Sequence, residues 1–346
     1  MTSIPHPPEA RRVRYFSLAI EDKAKAPNPA ERTRTFQRHS FVLVLRPDSD
    51  LADFEGQVIV TSTNRQLQGA RLRNWWGFAG RKSADVALHD RCGGEMLADA
   101  ARRALKRRRE EEQLRGIAFI SQDFDETAEL RVGEVLPTPV PRRAGTSLTS
   151  ATLRCSFVLH CLLPLYRPDV EKQEQQDVDE NSKPAGDDDE RNDVIVETRD
   201  ISHVYASREI VSTTAEVSDA IATVVKKSLD WSLNATSLAL VQIACPALGC
   251  GAKCYPATVA AEAFFTTVSN HQQLRRCCDP NSANGKQKVV LLEVRFWDTA
   301  VFFAWEKVAM AVLDEITEAQ YWELRELGQT LERKRKTGNG SSCTIA

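Results

Sequence analysis

The chain has 346 residues, 42% of them hydrophobic and 27% charged, which is ordinary for a soluble globular protein long enough to bury a core. That excludes a wholly disordered chain, a collagen-like fibre and a disulfide-stapled miniprotein. Lys+Arg number 46 against 48 Asp+Glu, a net charge of −2, so no global field draws the chain to nucleic acid, and no specific nucleic-acid partner is expected.

In chain order, MTSIPHPPEARR lacks the apolar centre of a secretory signal and reads as a frayed tail. Arg12–Ile20 predicts a first strand and Pro27–Arg38 a loop. Ser40–Leu45 (SFVLVL) and Gln57–Thr61 (QVIVT) are short apolar runs that read as buried strands, separated by an acidic turn over Arg46–Glu55. Apolar residues at helical spacing (Ala87, Leu88, Met96, Leu97, Ala100, Leu105) predict one helix over Ala84–Arg108. It runs into the charged segment Lys106–Glu112, read as a solvated helix end. Ile117–Ile120 and Ser156–Leu165 predict further strands. Asp169–Asp193 then carries eleven acidic and three basic residues and no aromatic, too little apolar surface to offset its ordering entropy, so it is expected to be a disordered acidic insertion. Val217, Ile221, Val224, Val225, Leu229 and Leu233 form a helical stripe. A strand at Leu238–Ala244, a helix from Ala257 to about Val268, a strand at Val289–Phe296 and a helix over Thr299–Leu313 follow. Glu315–Glu332 reads as an appended amphipathic helix. Strands alternating with helices imply an α/β sheet with covered faces.

The most informative segment is Cys245–Pro256, CPALGCGAKCYP, between a buried strand and a helix start. Gly249 and Gly251 allow a sharp turn and close backbone approach, and Pro256 suits a first helical turn. Free N–H groups of such a loop, with those of the helix start, form an anion site. The reading is a phosphate or diphosphate cradle at the C-terminal end of the strand, where open α/β sheets place ligands; the bland alternative is a tight strand–helix turn. Cys254 stands where a dinucleotide fingerprint would have its third glycine.

Ile243–Ala261 (IACPALGCGAKCYPATVAA) with Val289–Thr299 (VVLLEVRFWDT) resembles the C-terminal half of a macrodomain. Val58–Asn64 (VIVTSTN), Asp85–Glu95 (DVALHDRCGGE), Gly133–Pro139 (GEVLPTP) and Ser156–Tyr166 (SFVLHCLLPLY) resemble the family's other segments in the expected order, over about Phe41–Val312. The resemblance implies a three-layer α/β/α sandwich with a mixed central sheet that binds ADP-ribose or mono-ADP-ribosylated proteins, with hydrolysis of the ADP-ribosyl ester bond in some members. It implies adenine recognition at Asp50 with Leu51 beside it (Asp48 competes for the match, and a turn aspartate is the alternative). It implies a diphosphate wrap over Gly249, Cys250, Gly251 and Ala252, a ligand contact at Lys253 where the family has the aromatic that flanks the distal ribose, and packing of Trp297 on adenine, with core packing as the alternative. Asn64 would bond the distal ribose. In hydrolytic members Asn64 and Asp85 would orient or activate a water. No cofactor is implied.

The chain departs from the pattern in places. The glycine-rich first loop is represented by Leu67 and Gly69, an inserted Trp-containing stretch, and a lone Gly80 before Arg81 and Lys82. Those two residues would either supply charge to the diphosphate or form a solvated turn. Thr61 replaces the first Asn of the strand end, Lys253 an aromatic, and Cys254 a glycine. Nine scattered cysteines predict a reducing, cytoplasmic setting. Cys245, Cys250, Cys254, Cys277 and Cys278 lack a paired ligand spacing, so no metal site is expected. His89 and His160 read as core histidines.

At the C-terminus, Cys343-Thr344-Ile345-Ala346 fits a prenylation box, with Arg333, Lys334, Arg335 and Lys336 upstream. A lipid chain plus a polybasic patch is the usual pair of membrane signals. The expected organisation is an N-terminal extension (1–39), a macrodomain-like unit (40–314) with insertions at about 100–131 and 168–216, and a C-terminal helix and basic tail (315–346). The competing reading is a degenerate, non-binding macrodomain acting as a protein-interaction scaffold tethered to membrane by its C-terminus.

Overall fold

A computed structural model describes residues 12–18, 40–67, 83–115, 129–141, 153–168, 210–279 and 287–338. Ten strands are described: β1 (Arg14–Ser17), β2 (Phe41–Arg46), β3 (Val58–Ser62), β4 (Val135–Pro139), β5 (Phe157–Cys161), β6 (Leu165–Tyr166), β7 (Ile210–Val211), β8 (Leu240–Pro246), β9 (Val289–Arg295) and β10 (Asp314–Ile316). The helices are α1 (Ala84–Arg91), α2 (Glu95–Leu114), α3 (Thr214–Ala235), α4 (Ala257–Asn270), α5 (Gln272–Cys278), α6 (Thr299–Val312) and α7 (Glu318–Gly338).

Eight strands form one mixed sheet in the order β10-β1-β2-β9-β8-β3-β5-β4. The central five, β2, β9, β8, β3 and β5, are mutually parallel, while β4, β1 and β10 pair antiparallel at the two flanks. Parallel strands are buried on both faces and so read as continuous apolar runs. Both faces of β2 illustrate this. Phe41, Leu43 and Leu45 point into a core built with α3, α4 and α6, while Val42 and Val44 point the other way, onto Tyr321 and Leu324 of α7. On that second face Ile59, Val158 and Ala244 meet Leu88 of α1 and Leu97 of α2. The result is a three-layer α/β/α sandwich, as expected from the sequence.

Several boundaries differ from expectation for identifiable reasons. The single helix expected over Ala84–Arg108 is two. Gly93 (φ 86°) and Gly94 (φ 73°) turn left-handed between them, and Gly94 N–H closes α1 on His89 O at 2.7 Å; only glycine does this without strain. The far end of α2 is more than a solvated face. Arg109 leaves it to donate to both carboxylate oxygens of Glu134 at 2.8 and 2.6 Å. The run Ser156–Leu165 is a strand only to Cys161, and Leu165–Tyr166 pairs separately with β7. β1 and β10 join the sheet edge and α7 lies on the sheet, so flanking segments share the core of the central unit. Ile117–Ile120, the acidic stretch 169–193, Gly69, Gly80, Arg81, Lys82 and Cys343 lie outside the described residues. No helix among the described residues is long and apolar enough to cross a membrane.

Candidate functional site

The parallel strands all end at one sheet edge, and their connections bring the sequence-derived candidates there. Asp50 and Leu51 follow β2, Asn64 follows β3, residues 247–256 follow β8 and Trp297 follows β9.

The 247–256 loop is locally determined. Gly249 has φ +80°, and a Cβ there would come within 2.1 Å of the Tyr255 ring. Tyr255 is buried and donates its hydroxyl to Pro164 O at 3.0 Å, while its N–H bonds Gly249 O at 3.0 Å. Its position deprives the phenolate of water and holds the phenol above its usual range. Cys254 takes φ +59°, and its N–H closes on Gly251 O at 2.9 Å. Gly251 and Ala252 are exposed. Among the described residues the N–H groups of Gly249, Gly251 and Ala252 donate to no backbone carbonyl. α4 starts at once, and its Pro256 cap supplies no side-chain hydrogen bond. Loop donors and helix donors therefore adjoin one another at the sheet edge, and adjacent unpaired donors of this kind attract an anion. Cys250 is half-buried, and burial raises its thiol to about 11. It is a packing group rather than a nucleophile at neutral pH.

The segments carrying Asp50 and Trp297 are joined through their neighbours: Ser49 N–H bonds Phe296 O at 3.2 Å and Phe296 N–H bonds Arg46 O at 3.0 Å. Asp50 caps a single 3-10 turn at Leu51–Asp53, accepting from Ala52 N–H through Oδ1 at 2.8 Å, and its carbonyl accepts from Arg295. One carboxylate oxygen thus has a local task in a turn whose Leu51 and Ala52 are buried. Leu51 is buried, and Trp297 is half-buried against the cluster containing Leu51, Ala52 and Phe54. Asp48 is exposed with φ +49°.

Asn64 sits half-buried just past β3. Asp85, in the first turn of α1, is 1% exposed. Its Oδ2 accepts from Thr63 Oγ1 at 3.0 Å, while Oδ1 faces His89 Nε2 at 3.9 Å and His160 Nδ1 at 4.0 Å. The carboxylate therefore points into the layer between sheet and helix. Burial, then the neighbouring His89, lowers His160 to about 3, so it is neutral. Both histidines are buried, but they are not the satisfied core residues expected: His89 Nε2 and both His160 ring nitrogens make no hydrogen bond among the described residues, and both rings face the same carboxylate. The spacing Asp85–His89 on one helix face was legible in the sequence. The third member was not, because it depends on the pairing of His160 with Thr61 across β3 and β5. Lys253 is half-buried, and its carbonyl accepts from Tyr166 N–H at 3.0 Å, tying the loop to β6. The described cysteines are all free thiols; burial and then Asp85 raise Cys161 to about 12.

No protein-family model and no curated protein matches the chain. Solved structures do resemble it. An Oceanobacillus iheyensis macrodomain glycine-to-valine mutant with ADPR is 16% identical with a TM-score of 0.42, over 79% of this chain and 94% of that one. A Trypanosoma brucei macrodomain in complex with ADP is 13% identical with a TM-score of 0.40, over 77% and 68%. The macro domain of ganglioside induced differentiation associated protein 2 is 12% identical with a TM-score of 0.38, over 77% and 82%.

Proposed function

We propose that the protein binds ADP-ribose, free or carried on a modified protein. The diphosphate rests on residues 249–252 and the start of α4, the adenine lies between Asp50 and Trp297, and the distal ribose reaches toward Asn64. The observation that carries this is the loop itself. Its glycine turn is forced by Tyr255, and its N–H groups that donate to no backbone carbonyl adjoin a helix start without a side-chain cap. A doubly charged diphosphate suits such donors. Asp50 supports the adenine end because a carboxylate oxygen can accept from an exocyclic amine.

Binding is favoured over hydrolysis. A general base must reach the water it activates, and Asp85 instead turns its carboxylate to Thr63, His89 and His160. In this reading it positions α1 beneath the site. Isothermal calorimetry with ADP-ribose tests binding. Heat that disappears in Gly251→Glu, a position where a Cβ meets nothing within 4 Å, is the expected result. Silence at millimolar ligand would sink the reading.

The C-terminus supports a second, compatible role as a prenylated tail at Cys343. Arg335 of α7 donates to Ser237 O at 2.9 Å and Gln287 O at 2.8 Å. Both residues lie just before the starts of β8 and β9, at the sheet edge opposite the loop. A membrane holding this end through the lipid and the basic residues Arg333–Lys336 would leave the ligand edge facing away from the bilayer. Cys343→Ser is expected to move the protein from the membrane to the soluble fraction, and an unchanged distribution would defeat this part.

A further inference from the structure

We propose that Asp85, His89 and His160 bind a divalent transition-metal ion, with zinc as the ion the donor set suits. The three side chains come from the first and second turns of α1 and from β5, next to the edge strand β4, and one donor atom of each lies within 4.8 Å of the others. All are nine-tenths or more buried, at 1%, 4% and 0% exposure. Among the described residues, neither His89 Nε2 nor either ring nitrogen of His160 makes a hydrogen bond. Buried ring nitrogens without partners cost free energy, since each has lost water without replacement. An ion coordinated by them would remove that cost.

The surroundings are those of a ligand set. Thr63 holds Asp85 Oδ2, which leaves Oδ1 as the atom that both histidines approach. His89 Nδ1 lies 3.4 Å from Gly94 O. If that nitrogen carries the proton, Nε2 presents its lone pair to the centre, as metal-binding histidines do when a backbone carbonyl takes their other N–H. Tetrahedral zinc with bonds of about 2.0–2.1 Å places donors ~3.3 Å apart. The observed 3.9 and 4.0 Å need a contraction of roughly half an ångström, and the histidine pair, within 4.8 Å, one of up to about 1.5 Å, so the ion would require rotamer adjustment within the cluster. Two imidazoles and a carboxylate are a borderline-hard set that suits zinc over calcium or magnesium. The ion would fasten α1 to β5, and this inference does not depend on ADP-ribose binding.

The test uses the full chain, expressed with zinc and purified without chelator. Elemental analysis is expected to find about one ion per chain, and cobalt substitution a visible ligand-field band. His89→Gln and His160→Gln should each remove the ion while circular dichroism keeps the native spectrum. Because His160 is wholly buried, chelation of the wild type is the control that needs no substitution; it should lower the unfolding temperature. A folded chain that takes up neither zinc nor cobalt overturns the proposal. So does an ion that persists in both variants, which would place it on other residues, cysteines foremost. ADP-ribose calorimetry on the same samples separates a failure of this proposal from a failure of the binding reading.

Discussion

Gly249 lies against the ring of Tyr255, so close that any Cβ would fall 2.1 Å from Cδ2 and 2.7 Å from Cγ. The loop and the ring are therefore one unit, fixed from the other side by the Tyr255 hydroxyl on Pro164 O. Gly251, two residues on, is open to solvent on the side where its Cβ would stand.

That contrast predicts opposite behaviour for two neighbouring glycines. Gly249→Ala places a side chain at positive φ and against an anchored ring, so it is expected to destabilise the fold by roughly 1–3 kcal/mol. Gly251→Glu is expected to leave the unfolding midpoint within about 0.5 kcal/mol of wild type while weakening ADP-ribose roughly tenfold or more. Urea unfolding and calorimetry read the two effects. Equal stability loss in both would refute the assignment of roles.

Tyr255→Phe removes one hydrogen bond from a buried position and keeps the ring that shapes Gly249. A stability loss of about 1 kcal/mol is expected, and Pro164 O becomes a carbonyl without its donor. If the loop cradles the diphosphate, ADP-ribose affinity should fall with it, because the donors lose part of their preorganisation. Unchanged affinity would separate the loop's anchoring from ligand binding.

Glu134 titrates below its ordinary value. Burial acts to raise it, but the bonds from Arg109 and the Arg131 N–H outweigh that, and the net direction is down from 4.5. A depressed carboxylate adds stability above its unfolded value, and that stability is lost as pH falls through the folded value. Glu134→Gln is therefore expected to cost about 1.5–3 kcal/mol at neutral pH. The gap from wild type should close as the pH is taken below 4.5. A gap that stays constant down to acid unfolding would show that the pair is not the source.

Gly328 lets α7 approach the sheet. A Cβ there would lie 2.8 Å from Leu240 Cδ1 and 3.1 Å from Val289 Cβ. Gly328→Val is expected to lift the helix and cost about 1–3 kcal/mol by overpacking, seen as a lower thermal midpoint. No change would mean that α7 contributes little to the core.

Local patterning was enough to place the strands β2, β3, β8 and β9 and the helices α3, α4 and α6. Their apolar residues repeat at strand or helix period, and the sheet's parallel strands are buried on both sides. It also located the glycine loop, because a turn between a buried strand and a helix needs the φ freedom that only particular residues give. The break between α1 and α2 was written in Gly93-Gly94 but masked by apolar spacing that continues across it. What local sequence could not decide is anything set by packing between distant segments. β10, at the start of a stretch read as helical (Glu315–Glu332), is a strand because the edge strand β1 offers it hydrogen bonds. Arg109 is half-buried because Glu134 arrives from another element. Asp85, His89 and His160 converge because β3 and β5 pair in one register and α1 lies across them. Periodicity reports which face of an element is apolar; which elements meet there is fixed by the free energy of the assembled core.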